Sequence, residues 1–455
     1  MSGSAALLAS AFLAAGCRGI PTRDERAARQ HLEVLRGQYR PGDQRPQLPN
    51  LDASAGLETL LTYAMLNHPR VEAAYFDYAA AVQRITLERS LPDPRLTLEL
   101  DIQDVVMTVM PGLMSDLPWV RKLRIRADVA TAESEAMYYI FASQVLQAAY
   151  DVKRPYYQLH FLDSRIRING ATLALMEELE QIARAQNEAG KVTLQDVLRA
   201  QIEQERLRTE ITNLDDSRNS LLAQLKGALG LRASEPNPPV PAEFVSTPLD
   251  LTSERLFATA IERNPRLRQM EAEVRMAESG IQLAHQSRLP DFNVGVEADV
   301  KASPVMWRPT LGVTLPIWRD KIAAEIGSAQ AGKRAAEARL SAEEIQLAVE
   351  FADRSFMYRE ATRNLRLLTE TLLPKARQSL EVARMSYSSG RTDFINFQEA
   401  QRSLLEFELA EVDARTRREL ALAEISLLIV GLQPPGAPAT TLPALSPPSS
   451  RRAAK

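Results

Sequence analysis

The sequence predicts a mainly α-helical fold with a small β part, built from two tandem copies of one unit. Three observations predict it. Similar landmarks recur about 200 residues apart, each half contains a helical run of about 70 residues, and each half contains a stretch with the two-residue period of β-strands. A chain of 455 residues with 45% apolar and 25% charged residues has the composition of a protein that folds.

The composition excludes several classes of function. A net charge of -3 gives no general attraction to nucleic acid. One cysteine and four histidines do not supply a multi-thiolate zinc site or an imidazole-rich metal site. The sequence contains no phosphate-binding loop, dinucleotide fingerprint or nucleophile elbow, so we expect no cofactor, no metal site and no catalytic residues. No apolar run reaches the roughly 18 residues of a spanning helix, so any membrane crossing must use strands.

The N-terminus is predicted to direct export. Residues 1–16 are predicted to be a signal peptide, because Ala6 to Gly16 form an apolar stretch that small residues close. Cys17 follows directly, and this arrangement resembles a bacterial lipoprotein signal, which makes Cys17 a candidate lipid anchor. The alternative is an uncleaved signal or a frayed helix with a free thiol. Residues 17–56 are predicted to be an extended linker.

The two repeats are predicted to span residues 57–232 and 251–432. Their shared landmarks are an Asn near a Pro, two Leu-Pro pairs, a glycine turn and a closing Gly-Leu pair, all in one order. The first copy has Asn67, Leu91, Leu117, Gly190 and Gly230, and the second has Asn264, Leu289, Leu315, Gly390 and Gly431. A proline-rich linker over 233–250 separates the repeats, and a disordered proline-rich tail is predicted over 433–455.

Each repeat begins with two helices that a proline separates, at Pro69 and at Pro265. Alternating apolar residues then predict a strand from Leu96 to Ile102 in the first copy and from Phe292 to Val300 in the second. A further strand precedes the next Leu-Pro landmark in each copy, with a clear pattern in the second repeat and a poor one in the first. The sequence therefore predicts four strands.

Very long helices follow the strands. They run from Trp119 to Gln186 and from Trp318 to Tyr387, and each is about 100 Å long at 1.5 Å per residue. Pro155 and Pro374 lie inside these runs and predict a kink or break in each. After the glycine turn of each copy comes a shorter helix with apolar residues at coiled-coil spacing. No globular core is deep enough to hold helices of this length.

Four short strands cannot satisfy their own edges, and unpaired backbone groups in lipid cost several kcal/mol each. A closed barrel removes those edges, but closure here needs partner chains. Three copies would supply a shared trimeric transmembrane β-barrel of twelve strands and a matching ring of helices, a tandem-repeat α-barrel. In this arrangement the strand acids face the lumen and make it acidic. These are Glu99, Asp101, Glu297 and Asp299.

From about Leu57 to Leu432, these features resemble the TolC-type outer-membrane efflux proteins, in a lipoprotein-like form. The tandem repeat, the Asn and Pro near the start of each copy, the strand pair before Leu-Pro, and the glycine turn before an Ala-Gln helix carry the resemblance. It implies a homotrimer in the cell outer membrane whose helices form a tunnel across the periplasm. The implied partners are a periplasmic adaptor (membrane fusion) protein and an inner-membrane transporter, and the implied function is a passive exit duct of a tripartite efflux or secretion system.

The resemblance also implies a gate at the periplasmic helix turns. By position, Asp196 and Tyr387 match latch residues, and Asn396 and Glu399 match an acidic ring in which one acid is replaced by an amide. Arg391 lies one residue before the expected arginine position. Capping and solvation of a helical turn is the alternative role for each of these residues.

Two alternatives stay open. The chain as a whole fits a lipid-anchored periplasmic coiled-coil scaffold without a pore, which accounts for the helices but not for the alternating segments. Met107, Met110 and Met114 carry thioethers, which bind soft ions such as Cu(I), although apolar filling at a barrel tip accounts for them too. The sequence does not indicate which solute passes through the duct, because cargo choice belongs largely to the transporter.

Overall fold

The structure, a computed structural model, describes residues 21–52, 55–103, 106–240, 253–300, 304–389 and 391–428, without the side chains of residues 100–109 and 253–256. The predicted signal peptide, Cys17 and the tail lie outside the described residues. The described part is mainly helical and contains one four-stranded antiparallel sheet, which confirms the predicted fold class at this level.

The first repeat contains four helices and two strands in the predicted order. They are α2 (Leu57–Asn67), α3 (Pro69–Arg89), β1 (Arg95–Gln103), β2 (Val106–Leu117), α4 (Val120–Glu188) and α5 (Leu194–Leu229). A further helix, α1 (Arg23–Tyr39), precedes them. At 69 residues, α4 is about 100 Å long, as the sequence predicts.

The second repeat follows the same plan with one extra break. Its elements are α6 (Ser253–Arg263), α7 (Pro265–Gln286), β3 (Asp291–Asp299), β4 (Met306–Thr314), α8 (Arg319–Leu367), a π-helical turn (Leu368–Leu372), α9 (Leu373–Ser388) and α10 (Phe394–Leu428). We call the turns between α4 and α5 and between α9 and α10 the tip of the molecule.

The prediction of an extended linker over residues 17–56 was wrong for α1. Thr22 caps this helix by accepting a hydrogen bond from the backbone N–H of Glu25 at 3.1 Å. Leu32, Leu35 and Tyr39 lie on one face and are buried against α3 and α4. The spacing of three and four residues is that of an amphipathic helix, but the many charged residues between them concealed it.

The two predicted helix interruptions differ. Helix α4 continues through Pro155, which is buried among core residues of the first repeat, so the packing holds the helix together there. In the second repeat the π-helical turn ends two residues before Pro374, and α9 begins around that proline. At the kink or break predicted for the second repeat, the structure therefore has a π-helical turn in a backbone that stays helical, while the first repeat has a proline inside a continuous helix.

The helices lie side by side in a fixed order at each level. Near the strands the order of neighbours is α3, α4, α7, α8, and near the tip it is α5, α4, α10, α9. The long helices α4 and α8 therefore connect the two levels. Among the described helices, none combines the length and apolar composition that crossing a bilayer requires.

The sheet has the order β1-β2-β3-β4, so that each repeat contributes one hairpin and β2 joins them by pairing with β3. In the register, Leu96 lies opposite Leu113, Leu113 opposite Val296, and Val294 opposite Leu311. The strand segments predicted from alternation are all present, including the poorly patterned β2. Within the described residues β1 and β4 are the two edges of the sheet, and the outer edge of each has no partner strand.

Candidate functional site

One face of the sheet is apolar and uncovered. Register and alternation place eight large apolar side chains on it, and they are 37% to 74% exposed. They are Leu96, Leu98, Leu113, Val294, Val296, Trp307, Leu311 and Val313. An apolar surface of this size is unusual on a water-exposed protein and is typical of a surface that meets lipid or another protein.

The opposite face holds the predicted lumen residues. Glu99 is exposed, and Glu297 and Asp299 are half-buried on β3, one row apart. Glu297 lies opposite Gly112 on β2 and opposite Arg308 on β4. The backbone of Asp101 pairs with Thr108 on the neighbouring strand, and its side chain lies outside the described residues. A lumen would form only between several copies of the chain, so the lining of a lumen by these acids stays a prediction.

Three glycines on the polar face lie beneath the side chains of neighbouring strands. A Cβ added to Gly112 would lie 2.6 Å from both Glu297 Cγ and Thr97 Oγ1, because these neighbours lean over it. Gly295 and Gly312 are crowded in the same way by Thr310 and Asn293. Side chains converge on the concave side of a curved sheet, where glycine leaves room for its neighbours. These three positions of the polar face therefore leave no room for a larger side chain.

Ion pairs on this face went unnoticed in the sequence. Arg308 lies 3.5 Å from Asp299 and donates to Met110 Sδ at 3.6 Å. Arg95 pairs with Asp116 on the adjacent strand. Lys122, at the start of α4, lies 2.7 Å from Asp291. These pairs reduce the acidity that the sequence predicts for this face, and only the strand register, which brings the partners together, could have identified them.

The two turns at the tip are built alike. Gly190 has a positive φ of 67°, and the N–H of Lys191 donates to Gln186 O at 2.8 Å. In the second repeat the N–H of Arg391 donates to Ser386 O, also at 2.8 Å. Gly390 lies outside the described residues. The shared hydrogen bond shows that both glycine landmarks mark the same kind of helix end.

The predicted latch residue Tyr387 is buried in an apolar cluster that joins the two repeats. This tip cluster comprises Met176, Leu179, Ala200, Leu207, Tyr387, Phe394 and Phe397. Burial raises the pKa of the Tyr387 phenol, and the charge of Asp196 adds to the effect. The hydroxyl of Tyr387 is buried and makes no hydrogen bond within the described residues. The carboxylate of Asp196 lies 3.9 Å from the guanidinium of Arg199.

The other predicted gate residues are exposed at the tip. Arg391, Asn396 and Glu399 all face solvent in the single chain. Asn396 donates from Nδ2 to Thr392 Oγ1 at 3.0 Å, which ties the turn to the first residues of α10. The latch of Asp196 and Tyr387 stays a prediction, and a ring of Asn396 and Glu399 needs further copies and stays one too.

One ion pair that joins the two repeats was not predicted from the sequence. Arg384 Nη2 lies 2.7 Å from Glu178 Oε1, which joins α9 to α4 next to the tip cluster. The two residues are 206 positions apart, so no local signal connects them. Within the first repeat, hydrogen bonds from Arg184 and Gln201 lower the pKa of Glu180.

Among the described residues, the candidate metal ligands do not come together in one place. No group of three His, Cys, Asp or Glu side chains within the described ranges is placed to hold a metal ion. Met110 is buried beneath Arg308, and a cation next to the thioether disfavours binding of a metal ion there. The side chain of Met107 lies outside the described residues.

Comparison with known proteins gives one family. The model of the outer membrane efflux protein family matches residues 60–231 and again residues 256–430, which correspond to the two repeats. In sequence comparison, no curated protein matches the chain.

Solved outer-membrane proteins share the fold. The outer-membrane channel OprN has a TM-score of 0.71 at 17% identity, with 82% of this chain and 89% of that chain covered. CusC gives 0.71 at 17%, covering 85% and 98%. VceC of Vibrio cholerae gives 0.70 at 16%, covering 82% and 95%. At these identities the likeness establishes the fold, including the sheet and the long helices.

Proposed function

The chain belongs to the outer membrane efflux protein family, and from that premise we propose how it works as an exit duct. It is a TolC-like outer-membrane channel component of a tripartite efflux system. In our proposal, three copies join their sheets into one barrel of twelve strands in the outer membrane. The helices continue as a tunnel that ends at the tip.

The observation that carries the proposal is the two-sided sheet with two free edges. Its apolar face is exposed and becomes the convex face of the proposed barrel, its polar face becomes the concave one, and the outer edges of β1 and β4 have no partner among the described strands. Lipid accepts the apolar face but not unpaired backbone, which costs several kcal/mol per group. Pairing β4 of one copy with β1 of the next satisfies both conditions, and a water-filled lumen covers the polar face.

The helical edges support the same assembly. At the level of the tip, α5 lies at one side of the chain and α9 at the other. Leu198 and Ile202 on α5 are 49% and 68% exposed, and Val382 and Met385 on α9 are 63% and 57% exposed. Contact between α5 of one copy and α9 of the next would cover both stripes. Repeated head to tail, this contact closes a ring.

We propose that this ring brings the predicted gate residues into one constriction. Asn396 and Glu399 are exposed near the start of α10, where three copies would face one another. Arg391 precedes them in the same turn. The alternation of amide and acid leaves the ring less charged than one made of acids alone.

The lumen is proposed to prefer cations weakly. Glu99 and Glu297 form no ion pair with any described residue, whereas Asp299 faces Arg308. Two unpaired acids per copy leave an excess of negative charge on the concave face, and charged rings select ions of the opposite sign.

Attachment by a lipid at Cys17 fits the position of α1. Glu25, at the start of α1, is held at 2.7 Å by Arg89, the last residue of α3 before the strands. The six residues from Cys17 to Arg23, where α1 begins, span at most about 22 Å when extended. A lipid on Cys17 would therefore reach the membrane in which the strands lie. Docking of a periplasmic adaptor and an inner-membrane transporter at the tip is part of the same proposal.

Recordings of the purified protein in planar lipid bilayers test the proposal. We expect discrete channels with a modest cation preference that falls in Glu99→Gln plus Glu297→Gln. Glu88→Gln is the matched control, because Glu88 is an exposed acid of α3 outside the strands. If the membrane-inserted protein gives no channels, the pore is excluded and the lipid-anchored scaffold, which the family assignment disfavours, has to be reconsidered.

A further inference from the structure

Helix α1 is fastened at its two ends by charged contacts. At its start Glu25 lies 2.7 Å from Arg89, the last residue of α3. At its end the buried side chain of Arg40 lies 3.1 Å from Glu72 of α3, and it donates to Leu66 O at 3.3 Å. Between these ends no ion pair among the described residues joins α1 to α3 or α4, so packing rather than charge holds the middle of the helix.

His31 lies in the middle of α1, between α3 and α4. Its Nδ1 is 3.0 Å from the hydroxyl oxygen of Tyr78 on α3. Its ring meets that of Tyr138 on α4 edge to face, with centroids 4.6 Å apart and planes at 81°. Its second nitrogen, Nε2, is buried and makes no hydrogen bond within the described residues. The imidazole thus has one nitrogen with a polar partner and one buried nitrogen without any.

This arrangement fits a neutral imidazole and opposes a charged one. In the neutral ring Nδ1 can donate to the hydroxyl of Tyr78, which leaves Nε2 without a proton. In the imidazolium both nitrogens carry a proton, so Nε2 becomes a buried, charged donor with no acceptor, which is costly. Burial accordingly lowers the pKa of His31, and no charge of a described residue contributes to that shift.

The described groups around the imidazole supply no charge that would compensate. Burial raises the pKa of four phenols of α3 and α4, so they stay neutral at any pH at which a histidine titrates. They belong to Tyr75, Tyr78, Tyr138 and Tyr139. On α1 itself the charged side chains next to His31 along the helix are already paired. Arg29 lies 3.2 Å from Glu25, and Glu33 lies 3.4 Å from Arg36.

We propose that α1 is an acid-sensitive strap, which His31 holds against α3 and α4 when neutral and releases when protonated. In undocked α1 the imidazole is in water and takes up its proton near the ordinary pKa of 6.5, whereas the docked imidazole does so only at lower pH. The undocked state therefore binds more protons as the pH falls. Docking of α1 is strongest at neutral pH and weakens below about pH 6.5.

Release of the strap would change how the chain is tethered. The proposed lipid anchor at Cys17 is joined to the rest of the chain through α1, and undocking would add the 17 residues of this helix to the tether. Acid would then loosen the link between the anchored terminus and the helical body. This consequence rests on the proposed lipid attachment, whereas release of α1 itself requires only the packing within one chain.

Hydrogen exchange of the full-length, detergent-solubilised protein tests the strap. Peptides of α1 are followed at about pH 7.5 and about pH 5, on either side of the range in which a histidine titrates. The rates are corrected for the intrinsic effect of pH on exchange. We expect exchange in α1 of the parent to become several-fold faster at the lower pH, because α1 undocks more often. Peptides of α5, which does not contact α1, should keep their corrected rate.

Two variants assign the response to the imidazole. His31→Gln keeps an amide that can bond to Tyr78, and His31→Phe keeps a ring, but neither side chain titrates. Both should remove the dependence on pH from α1. His285→Gln, at an exposed position in the last turn of α7, is the matched control and should respond like the parent. Equal protection of α1 at both pH values in the parent, or a parental response in the two His31 variants, would overturn the proposal.

Discussion

The two repeats form the same helix cap and the same hydrogen bond between helices, but they use different residues. In the second repeat Asn264 caps α7 by accepting from Arg266 N at 2.9 Å and also donates to Leu428 O at the end of α10. In the first repeat two different residues make these two hydrogen bonds. His68 caps α3 through Nδ1, and Asn67 donates to Leu229 O at the end of α5. The residue inserted between Asn and Pro in the first copy is thus a cap, which shows that the interaction was kept although the motif was not.

The repeats also differ where α1 packs. Tyr75, Tyr78 and Val82 of α3 are buried beneath it. The corresponding positions of α7, 196 residues later, hold Glu271, Val274 and Glu278, and Glu278 pairs with Lys333 at 3.0 Å. An aromatic core and an exposed ion pair therefore occupy equivalent helix faces. The comparison teaches that α1, which has no second copy, is what breaks the symmetry between the repeats.

The largest effect should come from removing the buried acid under α1. Glu25 is fully buried between Arg29 and Arg89, and Glu25→Ala leaves those cations without their partner. We expect the free energy of α1 undocking, measured by hydrogen exchange, to fall by about 3 kcal/mol. Glu278→Ala breaks the exposed ion pair of the second repeat, and it should lower the free energy of local unfolding of α7 by less than about 1 kcal/mol. Equal losses would show that α1 does not depend on the buried pair.

Replacing Lys153 is expected to raise the stability of the protein. The equivalent position of α8, counted from the start of the helix, is Ala352. Lys153 is buried between α4 and α10, with Ser426 Oγ at 3.4 Å. Burial lowers its pKa from 10.5 to about 8, so the folded state disfavours the charged amine. Because the folded protein releases the proton first, stability should rise as pH increases from about 8 to about 10.5, by roughly 3 kcal/mol at about 1.4 kcal/mol per pKa unit.

Lys153→Met removes this charge while keeping the length of the side chain. We expect it to raise the unfolding temperature at pH 7 and to abolish the rise between pH 8 and 10. Denaturation curves of the detergent-solubilised protein at several pH values measure both effects. A variant less stable than the parent at pH 7 would mean that the amine has a partner that stabilises its charge.

The smallest of the three effects is expected for the residues that cap α3 and α7. Asn264→Ala removes a helix cap and a separate hydrogen bond, each contributing about 1 kcal/mol, and should cost about 2 kcal/mol. Asn67→Ala and His68→Ala should each cost about half of that. Urea unfolding of the three variants checks the ratio. If Asn67→Ala alone is as costly as Asn264→Ala, the tasks are not divided.

Features carried by local patterns could be predicted from the sequence. Helix α5 was predicted with the bounds that the structure gives, and β1 was predicted to within one residue because its alternation is regular. The resemblance to the TolC-type family was confirmed by the match of the family model to both repeats. In the tip, the latch roles of Asp196 and Tyr387 remain predictions.

What the sequence could not supply depends on long-range geometry. The partner of Arg308 is set by the strand register, and the Arg384 to Glu178 pair joins residues of different repeats. Helix α1 was missed because its core face becomes apparent only against the tyrosines of α3.

Cross-linking of the free sheet edges tests the central claim most directly. Leu98 on β1 and Leu311 on β4 face the same side at opposite edges of the sheet. The test uses membranes that contain the double variant Leu98→Cys with Leu311→Cys, and further double variants in which Leu96 or Val313 is the residue replaced. Oxidation should give covalent trimers in the double variant whose two positions lie opposite each other in the barrel. Replacing only one residue of that pair should give no covalent trimer. Only monomers at every register would contradict a barrel shared between copies.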